Sequence, residues 1–185
     1  GVRANTMTIQ MQRSGLLNAT MGLIAQGETR SASSGAGTPS EAAIERFSQG
    51  LGEIKRNGVA LGNIVSAELT YSNNLEKVEV IRPDGRIEDV EPAMVAANGN
   101  VVVRFADTTL LDQAINGAPC ELSFGWEIDA DRSLLFTLHE VYLPRPKLPV
   151  SGPGGVQATF AFQAAKDPAL ANTMTVVLVN DVPTY

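Results

Sequence analysis

This chain has little with which to do redox, metal or nucleophilic chemistry. Its 185 residues include one cysteine, Cys120, and one histidine, His139. A lone cysteine excludes an internal disulfide framework. Together the two are too few for a Cys/His zinc site within one chain. Basic residues are also scarce: 14 Lys and Arg stand against 20 Asp and Glu, for a net charge of −6. That balance argues against a general nucleic-acid binder, which needs basic patches for phosphates. No run reaches ~18 apolar residues, so no membrane-spanning helix is present and no membrane partner is expected. No secretory signal pattern is visible. The first residue is Gly1 rather than Met, from which we expect that an N-terminal piece has been removed.

What is present reads as one globular domain over residues 1–185, with enough length for one substantial core. The chain is organised around residues 107–120 (DTTLLDQAINGAPC). Asp107, Thr108 and Thr109 can each cap a helix start. Thr109 and Asp112 have capping-box spacing, with Asp replacing the usual Glu. Leu110, Leu111, Ala114 and Ile115 recur at helical spacing. Asn116-Gly117 offers a left-handed stop, and Pro119 bars continuation. A helix this short is marginal alone, so its apolar stripe must lie on neighbouring strands.

The rest alternates with period two. Residues 6–12 put Met7, Ile9 and Met11 on one face. Residues 17–26 put Leu17, Ala19, Met21 and Leu23 on one face, and the two segments form a hairpin. Asn57-Gly58 marks a second hairpin. Residues 63–71 place Val65, Ala67, Leu69 and Tyr71 together. Residues 77–82 and 86–91 are strands flanking the tight turn Pro83-Asp84-Gly85. Asn98-Gly99 reads as a turn before the strand 101–105. After the helix, residues 121–128, 133–143, 156–164 and 173–180 are strands. Two segments break the pattern. Residues 28–40 are small, polar and glycine-rich, and read as a mobile loop, followed by a helical turn at 41–47. Residues 144–155 hold four prolines and three glycines and are an extended loop. Short connections force antiparallel pairing. The fold class is therefore mainly β: two packed antiparallel sheets, as a sandwich or barrel, with one short flanking helix.

No catalytic, cofactor-binding or metal-binding residues emerge. His139 sits mid-strand, and no nucleophile elbow accompanies it. Cys120 reads as a small buried residue. Glu121 and Glu127 read as a solvated strand face. Asp84, Glu88, Asp89 and Glu91 lack calcium-loop spacing. Trp126 and Tyr71 read as core or interface aromatics. Asn18-Ala19-Thr20 has the form of a glycosylation sequon but lies inside a predicted strand.

Three segments carry a family resemblance. Residues 63–80 (NIVSAELTYSNNLEKVEV) run strand to strand through Asn73-Asn74. Residues 101–127 join a strand, the Asp-Thr-Thr-Leu-Leu helix and a strand. Residues 135–181 end GPGGVQATFAFQAAKDPALANTMTVVLVND. Together they resemble the tail-tube (major tail) proteins of long-tailed bacteriophages and prophages. The resemblance implies two packed antiparallel sheets with a flanking helix. It implies a structural virion protein, not an enzyme, without cofactors. Its partners would be copies of itself, in rings, typically hexameric, that stack into a hollow tube. The tube would surround a tape-measure protein and meet tail-terminator and baseplate proteins. DNA would pass through the lumen without specific binding. The tube would assemble in the host cytoplasm and reside in the virion tail. Related components on the same fold (a terminator, a baseplate ring, a type VI secretion tube) are the alternative. A β-sandwich module for carbohydrate or a small ligand is a more distant one. Closing sheets across copies would remove exposed edges. Inward-facing carboxylates would repel phosphates near the wall. Residues 28–40 and 144–155 are the expected ring-stacking loops.

Overall fold

The computed structural model describes residues 1–35, 37–38, 45–147 and 156–181. The strands are β1 (Val2–Met11), β2 (Asn18–Ala25), β3 (Gly52–Arg56), β4 (Val59–Ala60), β5 (Ile64–Ser72), β6 (Glu76–Val78), β7 (Asp89–Glu91), β8 (Ala96–Arg104), β9 (Cys120–Asp129), β10 (Arg132–Tyr142), β11 (Gln157–Ala165) and β12 (Met174–Val179). The helix α1 spans Thr109–Asn116, and a 3₁₀ turn, Gln49–Leu51, precedes β3.

Ten strands share one antiparallel hydrogen-bonded path, β2-β1-β5-β8-β11-β10-β9-β3-β4, with β12 also on β10. The path folds over between β11 and β10, giving two layers. One is β2-β1-β5-β8-β11; the other is β10-β9-β3-β4 with β12. β6 and β7 pair only with each other. β11 and β12 both run antiparallel to β10, β11 along Glu140–Tyr142 and β12 along Ser133–Leu138. They form one interrupted strand, and the segment between them loops out.

Alternation decides which side chains meet between the layers. Ile9, Leu69, Val101 and Phe160 come from one layer; Ile54, Phe124, Trp126 and Leu138 come from the other, and all are buried. Phe124 and Phe162 meet across the core at 5.8 Å between ring centroids. Trp126 and Phe136 pack edge to face at 6.3 Å, a favoured aromatic geometry. Asn57 and Gly58 both adopt positive φ, 49° and 76°, as the two-residue turn joining β3 to β4 requires.

The helix follows its predicted stripe only in part. Leu110 and Ala114 enter the core, Leu111 is half-buried, and Ile115 is 49% exposed. Its cap also differs from the Thr109–Asp112 box. The helix starts after Thr108, whose hydroxyl donates to Asp112 Oδ2 at 2.7 Å, and the Asp107 carboxylate accepts the Thr109 amide at 2.9 Å. That hydrogen bond holds the Asp107 carboxyl below its ordinary range. Gly117, at φ 66°, ends the helix as expected. Arg56 donates to Gln113 Oε1 at 2.5 Å and fastens α1 to β3.

Three other expectations are corrected, and a fourth lies mostly outside the described residues. Asn98-Gly99 is not a turn: β8 runs through it, with Gly99 paired to Leu69 on one side and Phe162 on the other. A Cβ at Gly99 would lie 1.9 Å from the Glu68 carbonyl oxygen and 2.7 Å from Phe162 Cζ. Glycine is there for close approach, which a turn reading of the dipeptide misses. Val65 is exposed because a register shift between Ile64 and Ser66 hands its inward place to Ile64. The strands 77–82 and 86–91 shorten to Glu76–Val78 and Asp89–Glu91, the residues that pair with each other, and the Gln26 side-chain amide donates to the Ile87 and Glu88 carbonyls instead. The helical turn at 41–47 falls mostly outside the described residues; 45–47 are not helical.

Candidate assembly surface

The reactive side chains do not converge. Cys120 is buried, and burial pushes its thiol pKa up. His139 shares a 2.7 Å hydrogen bond with Thr175 Oγ1 and lies 3.8 Å from Glu121 Oε2, so it fastens β12 to β10. Glu121 and Glu127 lie along β9 with their side chains on its outward face. In the acidic group at 84–91, Arg82 pairs with both Asp84 and Glu88 and fills the place a cation would take. Trp126 is buried and unavailable to a ligand. No cluster of three His, Cys, Asp or Glu able to hold a metal occurs among the described residues.

The surface is unusual at the two lateral ends of the sandwich. At one end, β2 has no strand beyond it among the described residues. The register pairs Met7 with Met21 and Ala4 with Leu23, so these side chains continue the inward face of β1. The opposite layer does not reach them, and Met21 and Leu23 are 55% and 59% exposed. The hairpin was legible in its alternation; that its apolar face overhangs the core was not, because alternation says which face is apolar and not how far the other layer extends.

At the other end, beside the fold-over, β12 carries Val176, Val177, Leu178 and Val179, each between 38% and 52% exposed. Consecutive strand residues point to opposite faces. Val176 and Leu178 pair with Phe136 and Leu134 and extend the inward face; Val177 pairs with Leu135 on the outward face. Both faces of this edge, which pairs only with β10 among the described residues, are therefore apolar. An edge of this kind templates pairing with another chain. Four consecutive apolar residues were the sequence signal for a strand covered on both sides.

Between β12 and the start of β8 lies an open groove of about 830 Å³, bordered by Tyr71, Met94, Tyr142 and Met174 and carrying one charged group, Lys166. The Tyr142 hydroxyl is committed to Glu140 at 2.6 Å. The groove runs up to Met174, where the apolar edge begins, and its polar lining is Asn74, Gln163, Lys166, Asn172 and Thr173.

The outward faces of the two layers differ. On the β2-to-β11 layer, the register aligns Thr20, Thr8, Thr70, Asn98 and Gln163 in one row, and Asn18, Gln10, Glu68, Asn100 and Ala161 in the next. On the other layer, Glu53, Lys55 and Glu127 stand beside Leu135, Val177 and Val179.

Among solved structures, the fold is similar to the tube terminating cap of the anti-feeding prophage, with a TM-score of 0.54 at 10% identity, covering 79% of this chain and 100% of that one. A chain of the anti-feeding prophage baseplate aligns with a TM-score of 0.49 at 11% identity, covering 77% of this chain and 99% of that one. No curated protein matches the chain. A family profile described as phage tail tube protein matches residues 1–164. Mainly antiparallel β, with one short helix and chemistry-poor surfaces, the chain belongs to the phage tail tube protein family, as a structural component of the tail.

Proposed function

We propose that this chain, as one domain, assembles into closed rings that stack as the hollow tail tube, the conduit through which DNA passes without specific binding. One observation carries the reading: the sandwich is offset, with one layer overhanging at β2 and the other at β12, on opposite sides. The overhang of one copy supplies the layer that the overhang of the next lacks. Met21 and Leu23 would lie against Val176 and Leu178. This contact is heterologous, and a heterologous contact generates a ring when its rotation closes.

Magnitudes favour a ring over a pair. Fully burying an aliphatic side chain is worth about 1.5–3 kcal/mol. The side chains at these overhangs are roughly half exposed, so each yields about 1 kcal/mol on docking, and four yield about 4 kcal/mol. Association costs ~4–15 kcal/mol in lost freedom. A single contact is weak, whereas a closed ring gives every copy two. Copies of the ring, hexameric in the tube architecture this family suggests, would stack through residues 28–40 and 144–155, of which 28–35, 37–38 and 144–147 are described. The tape-measure protein, the tail terminator and the baseplate are the further partners, assembly takes place in the host cytoplasm, and the product belongs to the virion tail.

Sedimentation velocity and negative-stain microscopy across a concentration series test this. Rings and tubes are expected; a strict monomer at every concentration and salt would overturn it. The likeness to a tube terminating cap favours one second reading, a ring that ends a tube. It predicts single rings that never stack.

A further inference from the structure

Resting on the tail-tube reading, we infer that the outward face of the β2-β1-β5-β8-β11 layer is the channel wall, and that its near-absence of charge lets duplex DNA slide along it. Six side chains form its centre: Thr8, Gln10, Thr70, Asn98, Asn100 and Gln163. All carry hydroxyls or amides. Thr8 and Thr70 are hydrogen-bonded to each other at 3.0 Å. Glu68, the acid among them, accepts from Gln10 Nε2 at 2.9 Å. Arg3 and Arg104 stand at the two far ends of the face. Of the large exposed apolar side chains, Val65 stands near the Arg104 end of the face, displaced by the register shift, and none stands among the central six.

A moving polyanion makes two demands that this face meets. Lysine or arginine along the wall would release counterions and hold the duplex. A dense acidic lining would raise a barrier within about a Debye length, ~8 Å. Short hydroxyl and amide side chains do neither; their hydrogen bonds to phosphate exchange readily with water, each worth only about 1 kcal/mol net. The other layer offers no such face, because it sets Glu53, Lys55 and Glu127 beside the apolar ridge Leu135, Val177 and Val179. The net charge of −6 is therefore carried mostly away from the channel, in place of the inward carboxylates that composition alone suggested.

Single-cysteine labelling of assembled tubes tests the orientation, with buried Cys120 silent. Asn98→Cys should react with a maleimide on a bulky polymer in the dissociated chain and be protected in tubes. Glu127→Cys should react in both. Equal labelling of Asn98→Cys in tubes and free chain, or protection of Glu127→Cys instead, would overturn the inference. A second arm tests the charge argument. Tubes of Thr70→Lys/Asn100→Lys, assembled with short duplex DNA and treated with nuclease at physiological salt, should retain roughly ten-fold more DNA than wild-type tubes. Equal retention would overturn it. If the wild-type chain forms neither rings nor tubes, the tail-tube reading itself fails, and that outcome is visible before any variant is labelled.

Discussion

Replacing Leu178 with lysine separates folding from assembly. Leu178 is 52% exposed and faces the same side as Leu134 and Trp126. In the isolated chain the lysine stem can lie along that surface with its ammonium in water. Such surface changes shift stability by ~0.5 kcal/mol or less, about 2 °C in Tm for a chain of this size. In the proposed ring the same position would be covered. The half-side-chain of apolar burial still available there, about 1 kcal/mol, is forfeited. An unpaired ammonium taken out of water adds ~2 kcal/mol or more. The sum, at least ~3 kcal/mol per contact, is a hundred-fold or more in affinity. Sedimentation velocity should find the Leu178→Lys chain monomeric where the wild type is ringed, with Trp126 fluorescence unchanged. Normal rings from this variant would show that β12 is a solvent edge. A collapsed Tm would show that β12 is part of the monomer's own core.

Four further outcomes follow from the packing. Leu110→Asp should cost several kcal/mol through a buried unpaired carboxylate, measured by urea denaturation, whereas Ile115→Asp should stay within ~0.5 kcal/mol. Gly99→Ala should destabilise by ~1–3 kcal/mol, because the Glu68 carbonyl is backbone and cannot step aside; an unchanged midpoint would refute the close approach. Deleting residues 31–37 should leave Tm and ring formation intact while shortening tubes in micrographs; unfolding would make the loop structural. On the acid side, Asp84 and Asp129 are held below the ordinary value of 3.8, chiefly by hydrogen bonds from Arg82 and Arg132. Groups depressed in the folded state stabilise it above that value, and the contribution is lost as pH falls through the folded pKa. Asp129→Asn should therefore flatten the decline of Tm below about pH 4 and leave neutral pH almost unchanged; an unaltered acid limb would contradict the pairing with Arg132.

Much of the fold was legible because alternation is a direct consequence of burial on one face. The runs containing Phe160 and Phe162, or Leu122, Phe124 and Trp126, could pack in only one way, and each is buried as its spacing required. What escaped was set by a third party. Gly99 looked like punctuation until Glu68 and Phe162 were placed beside it. Leu111 and Ile115 had the spacing of core residues, but only the Leu110–Ala114 side of α1 meets the sheet fully. The candidate site was the least legible part. Met21, Leu23 and Val176 to Val179 sit in segments whose pattern marks strands, and only their exposure in the folded chain reveals that its described residues leave them uncovered.

In the proposed ring, one copy's β2 overhang is completed by the next copy's β12. The most direct test mixes two chains, Leu23→Cys and Val176→Cys, each with one accessible cysteine beside the buried Cys120, with a bis-maleimide spanning about 10 Å, the usual separation of packed sheets. The mixture should yield a covalent dimer that neither variant forms alone. Cross-linking within either variant by itself, or none in the mixture, would contradict the claim.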